Sequence, residues 1–175
     1  MSLLNESIMF AMEAHAGQVR KFDGTPYIRH PLSVMGMMSE ITSDEAVLAA
    51  CVLHDTVEDC EDVTLEVIHE RFGEIVAGYV FYVSEISHKS DGNRKTRKAI
   101  DRRHYQSGSG ISHNIKVLDL IDNIPSIVMY DAVFSKIYLE EKRLLLSVLV
   151  KADPVLIDRA LKIIDWMETF NLTDT

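Results

Sequence analysis

The stretch AACVLHDTVED, residues 49–59, passes from a wholly apolar run into a histidine and three carboxylates without any turn residue. If this stretch is one helix, His54 and Glu58 project from the same face, and so do Asp55 and Asp59. The apolar half is expected to be buried, so the charged groups emerge at or near the interior. Ionised groups there are costly unless they are paired or bound to a metal. We therefore expect the chemistry of the protein at this stretch.

The composition indicates one soluble, globular domain, which we place at residues 1–175. The chain is 47% hydrophobic and 26% charged, long enough for a substantial core and too short for two ordinary domains. Its 27 acidic and 18 basic residues give a net charge of −9, which argues against nucleic-acid binding. No apolar run approaches the roughly 18 residues of a membrane span. The N-terminus lacks a signal-peptide pattern, so we expect a cytoplasmic protein.

Nearly every segment has helical character, and the sequence predicts an all-α bundle of about eight or nine helices. The exception is residues 17–31, where an Asp-Gly pair and two prolines predict a structured loop, with a short hairpin as one option. Thr42 has the position of a capping-box residue before the helix that contains residues 49–59. Thr64 and Asp153 are expected to cap two later helices.

The first candidate site is the pair His54-Asp55, together with Glu58 and Asp59. An imidazole beside carboxylates suits a borderline or hard divalent metal. The alternative is a helix C-terminus with a solvated acidic tail, because two further acids follow in the sequence. The pair alone does not decide between the two.

The second candidate is Asp119, within the apolar segment IKVLDLIDNI at residues 115–124. It shares one helical stripe with Lys116 and Asn123. It either pairs with Lys116 on an exposed face or faces inward and needs a cation; the apolar neighbours favour the second arrangement. His30 is a third candidate, but a lone histidine before a proline is more often structural, and composition does not select it among seven histidines.

A basic run between Lys89 and Arg103 holds seven of the 18 basic residues of the chain. Such a run usually forms a solvated helix face. Beside an acidic cavity, its positive field would suit an anionic ligand that also carries a metal, and Arg20 and Lys21 can join it from the first loop. A phosphate-rich small molecule is the natural candidate.

Taken together, these motifs strongly resemble the HD-domain hydrolases of the RelA/SpoT type, most of all the small stand-alone alarmone hydrolases. The matching blocks run in order from about residue 8 to 130: AHAGQ (14–18), Arg20-Lys21, PYIRHP (26–31), LHDTVED (53–59), Phe72-Gly73, and IKVLD (115–119) with Asn123. Position 122 departs from the pattern, with an aspartate where the family usually has histidine or another residue. The resemblance implies an all-α HD-domain bundle that holds a single divalent ion, typically Mn²⁺.

The resemblance also implies the roles of individual residues. The implied metal ligands are His30, His54, Asp55 and Asp119. Glu58 and Asp59 match the acidic pair that assists catalysis, and Arg20, Lys21 and Asn123 match residues of the nucleotide pocket. From the basic run we add four candidate phosphate contacts, Arg94, Lys95, Arg97 and Lys98. The implied reaction is hydrolysis of guanosine 3′,5′-bis(diphosphate), ppGpp, at the 3′ position, which releases pyrophosphate and GDP or GTP.

Two other functions stay open. One is an HD phosphohydrolase acting on another phosphorylated nucleotide, such as an adenosine alarmone or a 2′- or 3′-phosphorylated cofactor. The other is a non-catalytic alarmone-binding module, which the presence of both Glu58 and Asp59 argues against. The expected partner is a small phosphorylated nucleotide rather than a nucleic acid or a membrane. The sequence leaves the oligomeric state open, with a homodimer as one option.

Overall fold

The computed structural model describes residues 1–170, apart from the side chains of residues 132 and 170. Over this range the chain forms ten α-helices and a short 3-10 helix at Lys89–Asp91. The α-helices are α1 (Leu3–Ala14), α2 (Arg29–Ser39), α3 (Glu45–Leu53), α4 (Thr56–Asp59), α5 (Leu65–Phe72), α6 (Glu74–Val83), α7 (Arg94–Gln106), α8 (Gly110–Tyr130), α9 (Ala132–Leu146) and α10 (Pro154–Phe170). The predicted all-α class is confirmed. None of the helices between residues 1 and 170 is both long and apolar enough to cross a membrane.

Helix α3 lies at the centre of the fold. Residues 47–53 are all buried, and Leu53 is completely enclosed. Helices α1, α2 and α6 pack on α3, while α8 packs against α2 and α6. A helix that is covered on every side needs no polar face, which explains the uninterrupted apolar run in the sequence.

The single helix considered for residues 49–59 does not form. Helix α3 ends at Leu53, His54 and Asp55 form a turn, and α4 begins at Thr56. The Thr56 hydroxyl donates to the carbonyl of Leu53 at 2.7 Å, and this bond secures the turn. The turn raises the number of helices from the predicted eight or nine to ten. It also means that His54 and Glu58 do not lie on successive turns of one helix.

The helix caps agree with the sequence in two places and differ in one. Thr64 and Asp153 each accept a hydrogen bond from a backbone amide in the first turn of α5 and α10, as predicted. The capping box predicted at Thr42 is wrong. Asp44 caps α3 instead, because its carboxylate accepts from the amide of Ala46 at 2.9 Å. Thr42 lies outside the helix and accepts a bond from the amide of Asp44.

The loop between α1 and α2 is held in shape by local contacts. One isolated antiparallel bridge joins Val19 to Pro26. At its tip, the Asp23 carboxylate accepts hydrogen bonds from the amide and hydroxyl of Thr25 at 2.9 and 2.7 Å. Gly24 has a φ of 68°, which residues with side chains rarely adopt. The predicted structured loop is therefore confirmed, and it carries one side of the candidate site.

Leu118 provides a test of the packing of α8, since its side chain is fully buried. We expect Leu118→Ala to lower the free energy of unfolding by about 2–5 kcal/mol, because it removes buried methyl groups and leaves a cavity. Leu144→Ala, on a side chain that is 46% exposed, is the matched control, with an expected change of less than about 0.5 kcal/mol. Chemical denaturation measures both. Equal losses in the two variants would show that α8 is not packed as described.

Candidate active site

Three distant segments of the chain bring two histidines and two aspartates together. His30 Nε2 lies 3.4 Å from Asp55 Oδ2 and 3.3 Å from Asp119 Oδ1. His54 Nε2 lies 3.1 Å from Asp55 Oδ1 and 3.9 Å from Asp119 Oδ1. The ligand atoms of His30, His54 and Asp55 all lie within 4.8 Å of one another, with Asp119 at the edge of the group. The four residues predicted to hold the metal therefore meet in the fold, and we call them the HD cluster.

The environment of His54 fits a metal ligand. Its Nδ1 lies 2.8 Å from the carbonyl of Cys51, which can only accept a hydrogen bond, so Nδ1 carries the proton. Nε2 then presents a lone pair to the carboxylate of Asp55. Among the described residues this buried nitrogen has no hydrogen-bond partner. A lone pair facing a carboxylate is repulsive without a cation between them, and imidazole with carboxylate is a donor set that divalent metals prefer.

His30 is oriented by a carboxylate behind it. Its Nδ1 lies 2.6 Å from Asp122 Oδ2, and the hydroxyl of Ser33 donates to Asp122 Oδ1 at 2.5 Å. Contacts of this kind fix the ring of a ligating histidine. Burial lowers the pKa of His30, but hydrogen bonds to Asp119 and Asp122 outweigh it and raise the pKa to about 9. A metal at Nε2 therefore competes with a proton. The aspartate at position 122, a departure from the family pattern, has a definite structural role here.

Asp119 is a carboxylate inside an apolar helix. Lys116 Nζ lies 3.1 Å from Asp119 Oδ2, and the side-chain amide of Asn123 donates to Asp119 Oδ1 at 2.6 Å. Burial raises the pKa of Asp119, but Lys116 and His30 hold it well below its usual range, so the group is ionised. The pair with Lys116 does form, but both residues are only 8% exposed. It is therefore not the solvated surface pair of the alternative interpretation.

Tyr27 is a part of the site to which the sequence analysis assigned no role. Its hydroxyl oxygen lies 2.7 Å from Asp55 Oδ2 and 2.7 Å from Asp59 Oδ2, and its ring stacks on His15. A hydroxyl has one proton, so it can donate to only one carboxylate at a time. Burial raises the pKa of Asp59, the bond from Tyr27 opposes this shift, and the charge of Asp55 adds to it. Tyr27 thus joins the HD cluster to the acidic pair.

Glu58 lies beside the HD cluster at the wall of a cleft. Its Oε1 accepts a hydrogen bond from the backbone amide of Glu85 at 2.8 Å. The side chain keeps contact with solvent through the cleft, but the surrounding protein reduces its hydration. Burial raises the pKa of Glu58 to about 7; Lys116 opposes the shift and Asp55 adds to it. A carboxyl that titrates near neutrality is suited to accepting and returning a proton.

The HD cluster opens into a cleft of about 370 Å³, whose lining combines charges of both signs with aromatic rings. The acidic side chains of the lining are Asp55, Glu58, Asp59, Glu85 and Asp119. The cations are Lys21, Arg94, Lys98, Lys116 and Lys142. The rings belong to Phe22, Tyr27, Phe134 and Tyr138. Such a lining suits an anionic ligand with a flat apolar part.

The seven residues predicted to bind substrate separate into three groups. Lys21, Asn123, Arg94 and Lys98 line the cleft. Arg20 borders an adjoining cavity of about 130 Å³ and donates to the side-chain oxygen of Asn123 at 3.0 Å.

The remaining two predicted contacts lie elsewhere. Lys95 is exposed and does not belong to the lining. Arg97 does not line the cleft either, and its buried Nε has no hydrogen-bond partner in the part of the chain that the structure describes. The basic run therefore contributes Arg94 and Lys98 to the cleft, since only one face of α7 is turned towards it.

The fold and the HD cluster define a class of protein. Residues 7–107 match the sequence profile of the HD domain, and this chain belongs to the HD domain family. A guanosine-3′,5′-bis(diphosphate) 3′-pyrophosphohydrolase of Vibrio cholerae is 35% identical over 123 residues, which are 70% of this chain and 17% of that protein. The Danio rerio guanosine-3′,5′-bis(diphosphate) 3′-pyrophosphohydrolase MESH1 is 36% identical over 127 residues, which are 70% of this chain and 66% of that protein.

A solved structure shares this fold. It belongs to a metazoan ortholog of SpoT that hydrolyses ppGpp, and it matches this fold with a TM-score of 0.83 and 26% identity over 95% of this chain and 96% of the other. The likeness to the long bacterial enzymes covers a smaller part of those proteins. The matched residues span 17% of the Synechocystis and Vibrio cholerae relatives and 13% of the Aquifex aeolicus relative.

Asp55 allows a direct test of metal binding. Loss of a residue that only orients a metal ligand typically weakens metal binding by about 10–100-fold. Asp55 is itself an implied ligand and lies beside both imidazoles, so we expect Asp55→Ala to weaken the binding of Mn²⁺ by more than about 100-fold. Metal content after dialysis against Mn²⁺ and calorimetry measure the change. Asp62→Ala, at an exposed acid a few residues along, is the control and should bind like the wild type. Unchanged metal content in the Asp55 variant would rule out the assigned site.

Tyr27→Phe tests the outer contact to Asp55. The substitution keeps the stack on His15 and removes only the hydroxyl, so we expect Mn²⁺ affinity to fall by about 10–100-fold. Tyr79→Phe removes a hydroxyl outside the cleft lining and serves as the matched control. If calorimetry gives equal Mn²⁺ affinities for both variants, Tyr27 does not position Asp55.

Proposed function

We propose that this protein is a Mn²⁺-dependent hydrolase that cleaves ppGpp at the 3′ position and releases pyrophosphate and GDP, or GTP from the pentaphosphate form. The observation that carries the proposal is the HD cluster beside Glu58, in a cleft that is also lined by cations and aromatic rings. The activities named for the Vibrio cholerae and Danio rerio relatives support the same substrate. We also propose that residues 1–175 act as one HD-type domain.

The HD cluster would hold one divalent ion through two imidazole nitrogens and two carboxylates. This mixed donor set suits Mn²⁺ as well as related divalent metals. Such an ion, when bound, lowers the pKa of a coordinated water so that hydroxide is available near neutrality. Asp122, Tyr27 and Lys116 would hold the ligands in their orientations, since each contacts one of them directly.

Glu58 is the residue that would move the proton. With a pKa of about 7, it can accept a proton from the attacking water and return it to the departing oxygen. The hydrogen bond from the amide of Glu85 fixes one oxygen of the carboxylate and so restricts its rotation. Asp59 would support this geometry through its contact with Tyr27.

Arg20 and Asn123 would act on both the ligand and the protein. Arg20 donates to Asn123, and Asn123 donates to Asp119, so the three side chains form a continuous chain of hydrogen bonds. Lys21 lies exposed next to Arg20 and borders the cleft, where its charge would offset that of the substrate phosphates. With these contacts, the sugar and phosphate side of the ligand would lie near the HD cluster.

Hydrolysis of another phosphorylated nucleotide is the second candidate, because the aromatic lining accepts any nucleobase. Phe22 and Phe134 border the cleft, and aromatic faces stack on every nucleobase without discriminating between them. Guanosine and adenosine 3′,5′-bis(diphosphates) compared under the same conditions distinguish the two. A preference for the adenosine compound would support this second candidate.

The pH dependence of pyrophosphate release from ppGpp tests the role of Glu58. Burial raises its pKa to about 7, so the base form is scarce below that pH and predominates above it. We therefore expect kcat to rise with pH up to about 7 and then to level off. Glu58→Gln keeps the shape of the side chain and should lower kcat by about 10²–10⁴-fold without loss of metal.

Glu61→Gln, at an exposed acid in the same segment, is the control and should keep the wild-type rate. A Glu58→Gln variant with the full wild-type rate would contradict the role of Glu58. A wild-type protein that is loaded with Mn²⁺ and releases no pyrophosphate from ppGpp would contradict the proposed function itself.

A further inference from the structure

Three cations of the cleft already contact a carboxylate of the protein. The pairs are Arg94 with Glu141, Lys98 with Glu85, and Lys116 with Asp119. The first pair is bidentate, with nitrogen–oxygen distances of 2.8 and 2.7 Å. A cation in such a pair has much of its charge compensated, and an incoming anion must compete with the carboxylate for it.

Lys142 differs from these three cations. In the part of the chain that the structure describes, Lys142 forms no ion pair. Its Nζ lies over the ring of Tyr138, 4.8 Å from the ring centroid. An aromatic face compensates an ammonium group only partly. Burial lowers the pKa of Lys142 to about 8; Asp119 opposes the shift, and Lys116 and Lys98 add to it. The group is still largely protonated at pH 7, so a half-buried charge faces the cleft without a counter-ion.

Lys142 also borders a second cavity next to the cleft. This cavity of about 40 Å³ is lined by the cations Lys98, Arg102, Lys116 and Lys142 and by the carboxylates of Glu85, Asp101 and Glu141. None of the four residues of the HD cluster is among the described residues that line this cavity. An anion that extends from Lys142 into this cavity would leave the side of the cleft at the HD cluster to another phosphate.

We propose that Lys142 binds a phosphate group of the substrate other than the one that lies at the HD cluster. The inference rests on the proposed function, in which the nucleotide carries two diphosphate groups. A phosphate oxygen would supply the charged acceptor that the ammonium lacks. That oxygen belongs either to the 5′-diphosphate or to the far phosphate of the departing pyrophosphate. Arg94 and Lys98, offered by the sequence as phosphate contacts, would then mainly hold α7 in place beside Lys142.

The test compares Lys142→Met with the wild type by calorimetry, with GDP and with inorganic pyrophosphate as ligands. Methionine keeps an unbranched side chain and removes the charge. We expect the affinity for at least one ligand to fall by about tenfold or more, as for a lost charged hydrogen bond. Loss with GDP identifies the 5′-diphosphate as the source, and loss with pyrophosphate identifies the leaving group. Lys142→Arg, which keeps the charge, should retain most of the affinity.

Lys136→Met, at an exposed lysine of the same helix, is the matched control and should leave both affinities unchanged. Equal binding of both ligands by Lys142→Met and the wild type would overturn the inference, as would an equal loss in Lys136→Met. Because binding is measured without turnover, failure of the inference can be distinguished from failure of the proposed function. If the wild type binds GDP through Lys142 but does not cleave ppGpp, only the proposed reaction fails. If it cleaves ppGpp and Lys142→Met leaves KM unchanged, only the inference fails.

Discussion

The site depends on compensation of one buried negative charge, that of Asp119 in the apolar helix α8. An ionised carboxylate in this position would destabilise the fold if it stood alone. Lys116 on the preceding turn and the side-chain amide of Asn123 on the following turn compensate it from within the same helix. His30, from α2, completes the surroundings at 3.3 Å. The contacts that stabilise this ionised carboxylate also fix the orientation of its two oxygens. The carboxylate is therefore already oriented as a metal ligand.

The apolar helix α3 provides the second half of the arrangement. Residues 47–53 are buried and fix α3 in the core, and the turn that follows brings His54 to 3.9 Å from Asp119, with Asp55 beside it. Tyr27 and Asp122 then hold Asp55 and His30 from outside the HD cluster. The stretch at residues 49–59 therefore performs two tasks. Its buried part anchors the HD pair, and α4 presents the acidic residues to the cleft.

Much of this arrangement was predictable from the sequence, and what was missed has physical causes. The apolar run before His54 predicts a buried helix because only a fully covered helix dispenses with a polar face. The turn at His54-Asp55 was missed because no glycine or proline marks it in the sequence. Tertiary packing rather than local propensity ends α3 there. The HD cluster was predicted through family motifs. The environment of Lys142 was not, because the absence of a carboxylate beside it depends on how α7, α8 and α9 pack.

We propose above all that His30, His54, Asp55 and Asp119 hold one divalent ion in this chain. Anomalous diffraction from crystals of the protein grown with Mn²⁺ tests it most directly. We expect one strong anomalous peak among the four side chains, within coordination distance of the two Nε2 atoms. A Mn²⁺ peak elsewhere in the cleft, or none in crystals of fully folded protein, would contradict it.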